Sequence, residues 1–187
     1  HARVHVLHRT GARGLGRSSV DGMRRAMALG ATHVCQMDAD LSHDPDVVPR
    51  LVEQAASADV VIGSRYVPGG SVSNWAWRRR ALSAFANFYV RAVTRLPVRD
   101  CTSGFRCWGR DALIRLDLER IVSDGYAFQV ELTWAAAHAG CRITEWPITF
   151  VERRAGSSKM SSGIILESAL LPWRLAFRAD PAGRAPR

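Results

Sequence analysis

Apolar positions along the chain recur with two periods, and the change from one to the other marks the elements. Residues 3–7 alternate valine with basic side chains, the pattern of a strand. A glycine-bearing loop, Gly11 to Gly16, leads to a helix that Ser18 or Ser19 can cap and that runs to about Leu29. Residues 32–37 predict a second strand. Asp44-Pro45 is an N-cap followed by proline at the first helical position, so the next helix starts there and continues to about Ala56. Residues 59–63 form a short buried strand, and residues 67–74 a loop of Pro, Gly and Ser. A long helix over residues 78–95 places Leu82, Phe85, Ala86 and Tyr89 on one face. After a loop at 97–104 come a strand at 105–108, helices at 111–118 and 126–139, and a strand at 142–151 whose Pro147 favours an edge or a bulge. Residues 152–162 are an irregular polar loop, and residues 164–177 an amphipathic helix. The alternation of strand and helix through the first half predicts a parallel α/β sheet. Residues 1–177 read as one domain and residues 178–187 as a disordered basic tail.

Composition narrows this picture. A chain of 187 residues with 47% hydrophobic and 23% charged side chains is long and apolar enough for one packed core. Residues 164–177 are too short for a membrane span and include Glu167 and Arg174. The basic first twenty residues do not make a signal peptide. Four cysteines without a C-x-x-C pair indicate neither a zinc site nor a disulfide framework, so the expectation is a reduced, cytosolic chain. Lys plus Arg number 26 against 17 Asp plus Glu, a net charge of +9 that suits polyanions or an anionic membrane face. Codon bias toward arginine accounts for the excess equally well. It does not account for the single lysine, Lys159, where a compact ammonium has been kept in a chain that otherwise uses Arg.

Chemistry concentrates in a few places. Asp38 and Asp40, one residue apart at the C-terminal end of a buried strand, can both reach one hard cation. Mg²⁺ or Mn²⁺ in such a position bridges carboxylates to substrate phosphates; a polar turn with Asp as helix cap is the plainer reading. Gly14-Leu15-Gly16 lacks the third glycine of a dinucleotide fingerprint, since Ser19 stands there. The Arg65 fork suits a phosphate, or an ordinary surface. Arg78, Arg79 and Arg80 open the long helix, with Ser83 one turn after Arg79. Cations at a helix N-terminus oppose its dipole, and a bound anion would offset that conflict. Gln129 and Glu131 share a helix two residues apart and so point in different directions. His43 and His138 lack spaced ligand partners and read as structural, and no Ser-His-Asp or Cys-His arrangement is present.

These motifs have a familiar order. Met37-Asp-Ala-Asp-Leu-Ser-His43, Gly63-Ser-Arg-Tyr66, Thr102-Ser-Gly-Phe-Arg106, Gly125-Tyr-Ala-Phe-Gln129 and Pro147-Ile-Thr-Phe150 with Gly156-Ser-Ser-Lys159 resemble the polyprenol (dolichol) phosphate mannosyltransferases. The stretch from Asn74 through Arg79 and the Ser-Lys-Met ending resemble the actinobacterial polyprenol monophosphomannose synthases among them. The resemblance spans about residues 5–177. It implies an inverting family 2 glycosyltransferase with a GT-A fold, a mixed sheet flanked by helices. It also implies transfer of mannose from GDP-mannose to a polyprenyl phosphate at the cytoplasmic face of a membrane, with no nucleic acid as partner. On this resemblance Asp38 and Asp40 hold Mg²⁺ or Mn²⁺ and the donor diphosphate. Arg65, Arg79 and Ser83 hold the acceptor phosphate, Arg153 and Lys159 close over the phosphates and sugar, and Gln129 and Glu131 line the pocket. Asp40, Arg153 and Lys159 are then the catalytic set.

Two positions depart from the family. Ser42 stands where some relatives carry a metal-binding Gln. The opening Pro-Thr-Tyr-Asn-Glu-like strand and a later Asp pair, which grip the nucleotide in the family, are not in the chain. It therefore reads as an N-terminally truncated member lacking its first strands. The rival readings are a UDP-glucose-dependent polyprenyl-phosphate glucosyltransferase and a basic nucleic-acid-binding module.

Overall fold

The computed structural model describes residues 4–11, 14–152 and 162–178. Its first helix, α1 (Leu15–Ala28), begins after Gly14. The expected serine cap does not form: Ser18 turns its hydroxyl back onto the carbonyls of Gly14 and Leu15. The N–H of the buried Gly16, left free in the first turn, is taken instead by Asp124 Oδ1 at 2.7 Å, which also accepts the Gly125 N–H at 2.8 Å. A Cβ at position 16 would lie 2.5 Å from the Ser123 carbonyl, so only glycine allows this approach. The two glycines thus serve a helix junction, and a protein carboxylate occupies the helix N-terminus where a nucleotide phosphate would sit. Residues 4–10 form no strand; Val4 and Val6 are exposed, and an alternating pattern with no neighbour to pair with has no ladder to join.

The main sheet contains β1 (His33–Gln36), β2 (Val60–Ser64), β4 (Arg106–Gly109) and β5 (Ile143–Pro147), in the order β1-β4-β2-β5. β2 and β5 are parallel, but β4 lies antiparallel between β1 and β2. The all-parallel sheet expected from the strand–helix alternation is therefore corrected to a mixed one. Between β1 and β2, Asp44 caps a 3₁₀ turn by accepting the Asp46 N–H, as the Asp-Pro pair predicted, and α2 (Val48–Gln54) follows. Pro147 ends the edge strand β5. The chain then enters β6 (Thr149–Val151), which pairs with β3 (Ser71–Ser73), a strand hidden in the sequence by its Pro, Gly and Ser surroundings.

Side-chain alternation divides the core between the sheet's two faces. Val60, Ile62 and Trp108 pack with α1, with α4 (Arg110–Arg115) and with α5 (Gly125–His138). Val61, Phe105 and Cys107 pack with Leu51 of α2 and Ile148. All four cysteines are free. Beyond α5, α6 (Ser162–Ala176) buries Leu171 and Leu175, and Tyr89 donates to the Ala169 carbonyl at 2.6 Å.

Tyr89 belongs to α3 (Trp77–Thr94), where the apolar face expected from the sequence is only partly covered: Tyr89 packs against the core. Asn87, Val90 and Thr94 face inward, whereas Leu82, Phe85 and Phe88 face out. Asn87 is inside because it organises the next loop. Its Oδ1 accepts the Cys101 N–H at 2.8 Å, and its Nδ2 reaches Ser83 O and Thr102 Oγ1. The Leu82 and Phe85 part of the stripe is here an outer face.

Asp124→Ala is expected to cost about 1–2 kcal/mol in a urea melt, the size of a lost helix cap. Ser18→Ala is expected to stay within about 0.5 kcal/mol. The opposite ranking would return the cap to the serine.

Candidate active site

Three segments meet at one edge of the main sheet. β1 delivers residues 37–43 at its C-terminal end, and β2 delivers Ser64, Arg65 and Tyr66. Because β4 runs the other way, the loop that precedes it, residues 98–105, arrives at the same edge.

The first segment is a tight acidic turn. Asp40 Oδ1 accepts the N–H and the hydroxyl of Ser42, at 3.1 and 2.5 Å. Leu41 between them sits at φ 65°, a left-handed conformation that a leucine holds only when its surroundings impose it. His43 closes the turn from below. It is buried, stacks on Phe105 with ring centres 4.8 Å apart, and accepts the Asp38 N–H on Nδ1 at 3.0 Å. Burial lowers its pKa, against the pull of the Asp38 carboxylate, so the ring stays neutral. The histidine is structural, as expected, and its task is to fix the backbone of Asp38. The Asp38 side chain itself is exposed.

The second and third segments are joined by a buried ion pair. Arg65 Nε and Nη2 grip the two oxygens of Asp100 at 2.8 and 2.7 Å, and the Arg65 N–H adds a third bond at 3.0 Å. Burial alone would lower the Arg65 pKa; the Asp100 hydrogen bonds and charge outweigh it, and the guanidinium is held above its usual value. Glu145 of β5 accepts the N–H groups of Arg99 and Asp100 at 2.7 and 2.9 Å. Ser103 donates to the Gly63 carbonyl at 2.6 Å. From beneath, the buried Arg106 donates to the carbonyls of Ser103 and Cys101. Desolvation lowers its pKa to about 10, which still leaves it charged at neutral pH. The loop is thereby held at nearly every residue.

Gly104, in that loop, opens a gap. A Cβ placed on it would lie 3.5 Å from Gln129 Nε2 and 3.6 Å from Asp38 Oδ1. Gln129 is buried on α5, and its Oε1 has no hydrogen-bond partner. The gap therefore has a carboxylate on one wall and an unsatisfied carboxamide on the other. Among the described residues no three His, Cys, Asp or Glu side chains cluster to enclose a metal. Two carboxylates at an open edge fit a divalent cation of the Mg²⁺ or Mn²⁺ type, whose remaining ligands come from water and substrate phosphate.

A second feature lies beside Arg65. A groove of about 380 Å³ runs between β3 and the start of α3, lined by Arg65, Tyr66, Gly70, Ser71, Val72 and Arg80 with two alanines. Tyr66 donates to Ser83 Oγ at 2.7 Å, which fixes the serine at its rim. Arg79 is half-buried, lies 4.1 Å from the Trp75 ring centre and pairs with Glu152. Arg65, Arg79 and Ser83 are thus brought together, although Arg65 is committed to Asp100. Glu131 is placed elsewhere. Its Oε2 accepts the N–H groups of Val122 and Ser123, and its Oε1 meets Arg178 at 3.1 Å, an arrangement that ties α6 to α5. Arg153 and Lys159 lie outside the described residues. Sequence reading placed Asp100 and Gly104 in a polar loop and Trp75 in a stretch that carries the resemblance, and gave none of the three a role at the site. Asp100 could have been suspected from its position just ahead of the Thr102–Arg106 motif.

Asp100→Ala strands the Arg65 charge and is expected to destabilise the protein by about 3–5 kcal/mol. A loss below about 1 kcal/mol, measured by denaturant unfolding, would mean that the pair does not hold the site together.

With this geometry in hand, the relatives are informative. The glycosyl transferase family 2 model matches residues 1–117. The chain is 44% identical over 183 residues to a polyprenol monophosphomannose synthase of Mycolicibacterium smegmatis, covering 96% of this chain and 69% of that protein. It is 46% identical over 177 residues to an undecaprenyl-phosphate mannosyltransferase of Micrococcus luteus, covering 94% and 73%. In fold it is similar to the crystal structure of glucosyl-3-phosphoglycerate synthase from Mycobacterium tuberculosis in complex with Mn²⁺, UDP-glucose and phosphoglyceric acid. The TM-score is 0.56 at 17% identity, over 87% of this chain and 56% of that one. The mixed sheet flanked by helices is the GT-A fold, and the chain belongs to glycosyl transferase family 2.

Proposed function

We propose that this enzyme transfers mannose from GDP-mannose to a polyprenyl phosphate, with inversion at the anomeric carbon and with Mg²⁺ or Mn²⁺ bound at Asp38 and Asp40. The observation that carries the reading is the pairing of an open two-carboxylate edge with an arginine-lined groove beside it. The names of two relatives at 44% and 46% identity support mannose and a polyprenyl phosphate as the reacting groups, and GDP as the carrier rests on the family resemblance.

The chemistry needs little from a general base. A phosphate monoester has a second pKa near 6 and is largely dianionic at neutral pH. One of its oxygens attacks the anomeric carbon as the bond from that carbon to the donor β-phosphate breaks, and GDP departs. A divalent cation supplies charge neutralisation for the departing diphosphate. Asp38 and Asp40 would hold that cation; Ser42 fixes the Asp40 carboxylate, and His43 fixes the Asp38 backbone. Arg79, beside Ser83 and Trp75, offsets the repulsion between acceptor phosphate and donor diphosphate. Arg65 contributes positive potential from behind while bound to Asp100. Arg153 and Lys159 add cations next to Glu152 in sequence.

The acceptor is a lipid, and the outer surface suits a bilayer. Phe85 and Phe88 of α3 are 63% and 65% exposed, and Phe177 after α6 is 81% exposed. Trp77, Leu82 and Trp173 are exposed on the same two helices, with Arg78, Arg80, Arg91 and Arg174 among them. Arginines around exposed aromatics match the headgroup region of an anionic membrane. No helix of the described residues is long and apolar enough to cross one.

The test is transfer of labelled sugar to polyprenyl phosphate, by this chain and by a form extended through any upstream coding sequence. GDP-mannose and UDP-glucose are offered in parallel, with Mg²⁺, Mn²⁺ or EDTA. Metal-dependent mannosyl transfer is expected, and Asp40→Asn is expected to lower it about a hundredfold. Transfer from UDP-glucose alone, or transfer unaffected by EDTA, would overturn the reading. Replacing Phe85 and Phe88 together by serine is expected to weaken sedimentation with anionic vesicles about tenfold. Unchanged sedimentation would remove α3 from the membrane contact.

A further inference from the structure

The geometry points to Gly104 and Gln129 as the subsite that recognises hydroxyl groups of the donor sugar. This rests on the proposed function and adds the residues that choose the hexose.

Three observations converge. The Gln129 side chain is buried, 3% exposed, yet its Oε1 lacks a partner, which is a rare and costly state for an amide. Rotation of the carboxamide by half a turn exchanges its oxygen and nitrogen, so either can be offered to the gap. The amide faces the Asp38 carboxylate across Gly104, each within 4 Å of the point where a Cβ would stand. A sugar hydroxyl both donates and accepts. It is the natural partner for a carboxamide on one side and a carboxylate on the other, whereas an ionised phosphate can accept from the amide N–H but has no proton to give the carboxylate. The bare Cα of Gly104 then has a purpose, since a methyl group there would occupy the space of that hydroxyl. Alanine at this position is compatible with the fold, because the neighbours of its Cβ would lie at ordinary van der Waals distance.

The same observations separate Gln129 from a structural residue. A glutamine that supported the fold would leave a stranded partner when removed. The carboxamide of Gln129 has no partner to strand at its oxygen, so a leucine of similar size there should leave stability equal or higher.

The experiment compares three proteins, the unmodified enzyme, Gly104→Ala and Gln129→Leu, in both the given and the extended form. Titration calorimetry with Mn²⁺ measures GDP and GDP-mannose separately, and thermal melting reports on folding. Both variants are expected to melt at or above the temperature of the unmodified enzyme and to bind GDP unchanged. Their affinity for GDP-mannose is expected to fall about tenfold, the loss of one well-made hydrogen bond or of the space for it. Equal weakening of GDP and GDP-mannose would assign the gap to the diphosphate and overturn the proposal. So would an undiminished GDP-mannose affinity, or a lower melting temperature for Gln129→Leu. Failure of the unmodified extended enzyme to bind GDP with Mn²⁺ would instead refute the donor reading beneath it.

Discussion

The candidate site depends on one buried ion pair. Arg65 follows β2 and Asp100 lies in the loop that returns to β4, and their two-pronged contact is almost fully removed from water. Such a pair adds little net stability by itself, because desolvation opposes the attraction, but either partner alone would be a buried unpaired charge. It therefore acts as a constraint on geometry. With Asp100 fixed, Glu145, Asn87, Ser103 and Arg106 hold the rest of the loop. Gly104 in turn is set opposite Asp38. On the other side, His43 holds the Asp38 backbone while packing on Phe105, so Asp38 and the Gly104 loop rest on the same small core.

Much of this was legible in the sequence, for physical reasons that can be named. The Asp38–Asp40 turn follows a strand, and strand ends are where open α/β sheets bind ligands. Asp44-Pro45 starts its helix because its hydrogen bond is local. What failed was non-local. Asp124 caps α1 from more than a hundred residues away, and no window around Ser18 could have shown it. β4 runs antiparallel because of where the chain re-enters the sheet, which alternation of elements does not encode. β3 is three residues long and is defined by its partner β6 alone.

The long helix α3 shows what periodicity leaves open. It located an apolar stripe, but a stripe alone does not say which side faces the core. Here Asn87 faces in, where it satisfies the loop, and Phe85 and Phe88 face out. Arginine placement made the same point. Arg65, Arg79 and Arg106 look alike in sequence, yet one is locked to a carboxylate, one lies on a tryptophan, and one supports backbone carbonyls. Arg65 lines the groove while locked to its carboxylate, and Arg79 lies beside it on Trp75.

The central claim is that Asp38 and Asp40 hold the metal and donor diphosphate beside the Gly104 gap. The most direct measurement is anomalous scattering from crystals of the protein grown with Mn²⁺ and GDP-mannose. The account predicts a single manganese peak within coordination distance, about 2–2.6 Å, of carboxylate oxygens of Asp38 or Asp40, with the hexose lying toward Gln129. A manganese peak held by other residues, or a donor bound with both carboxylates turned away from it, would contradict the account.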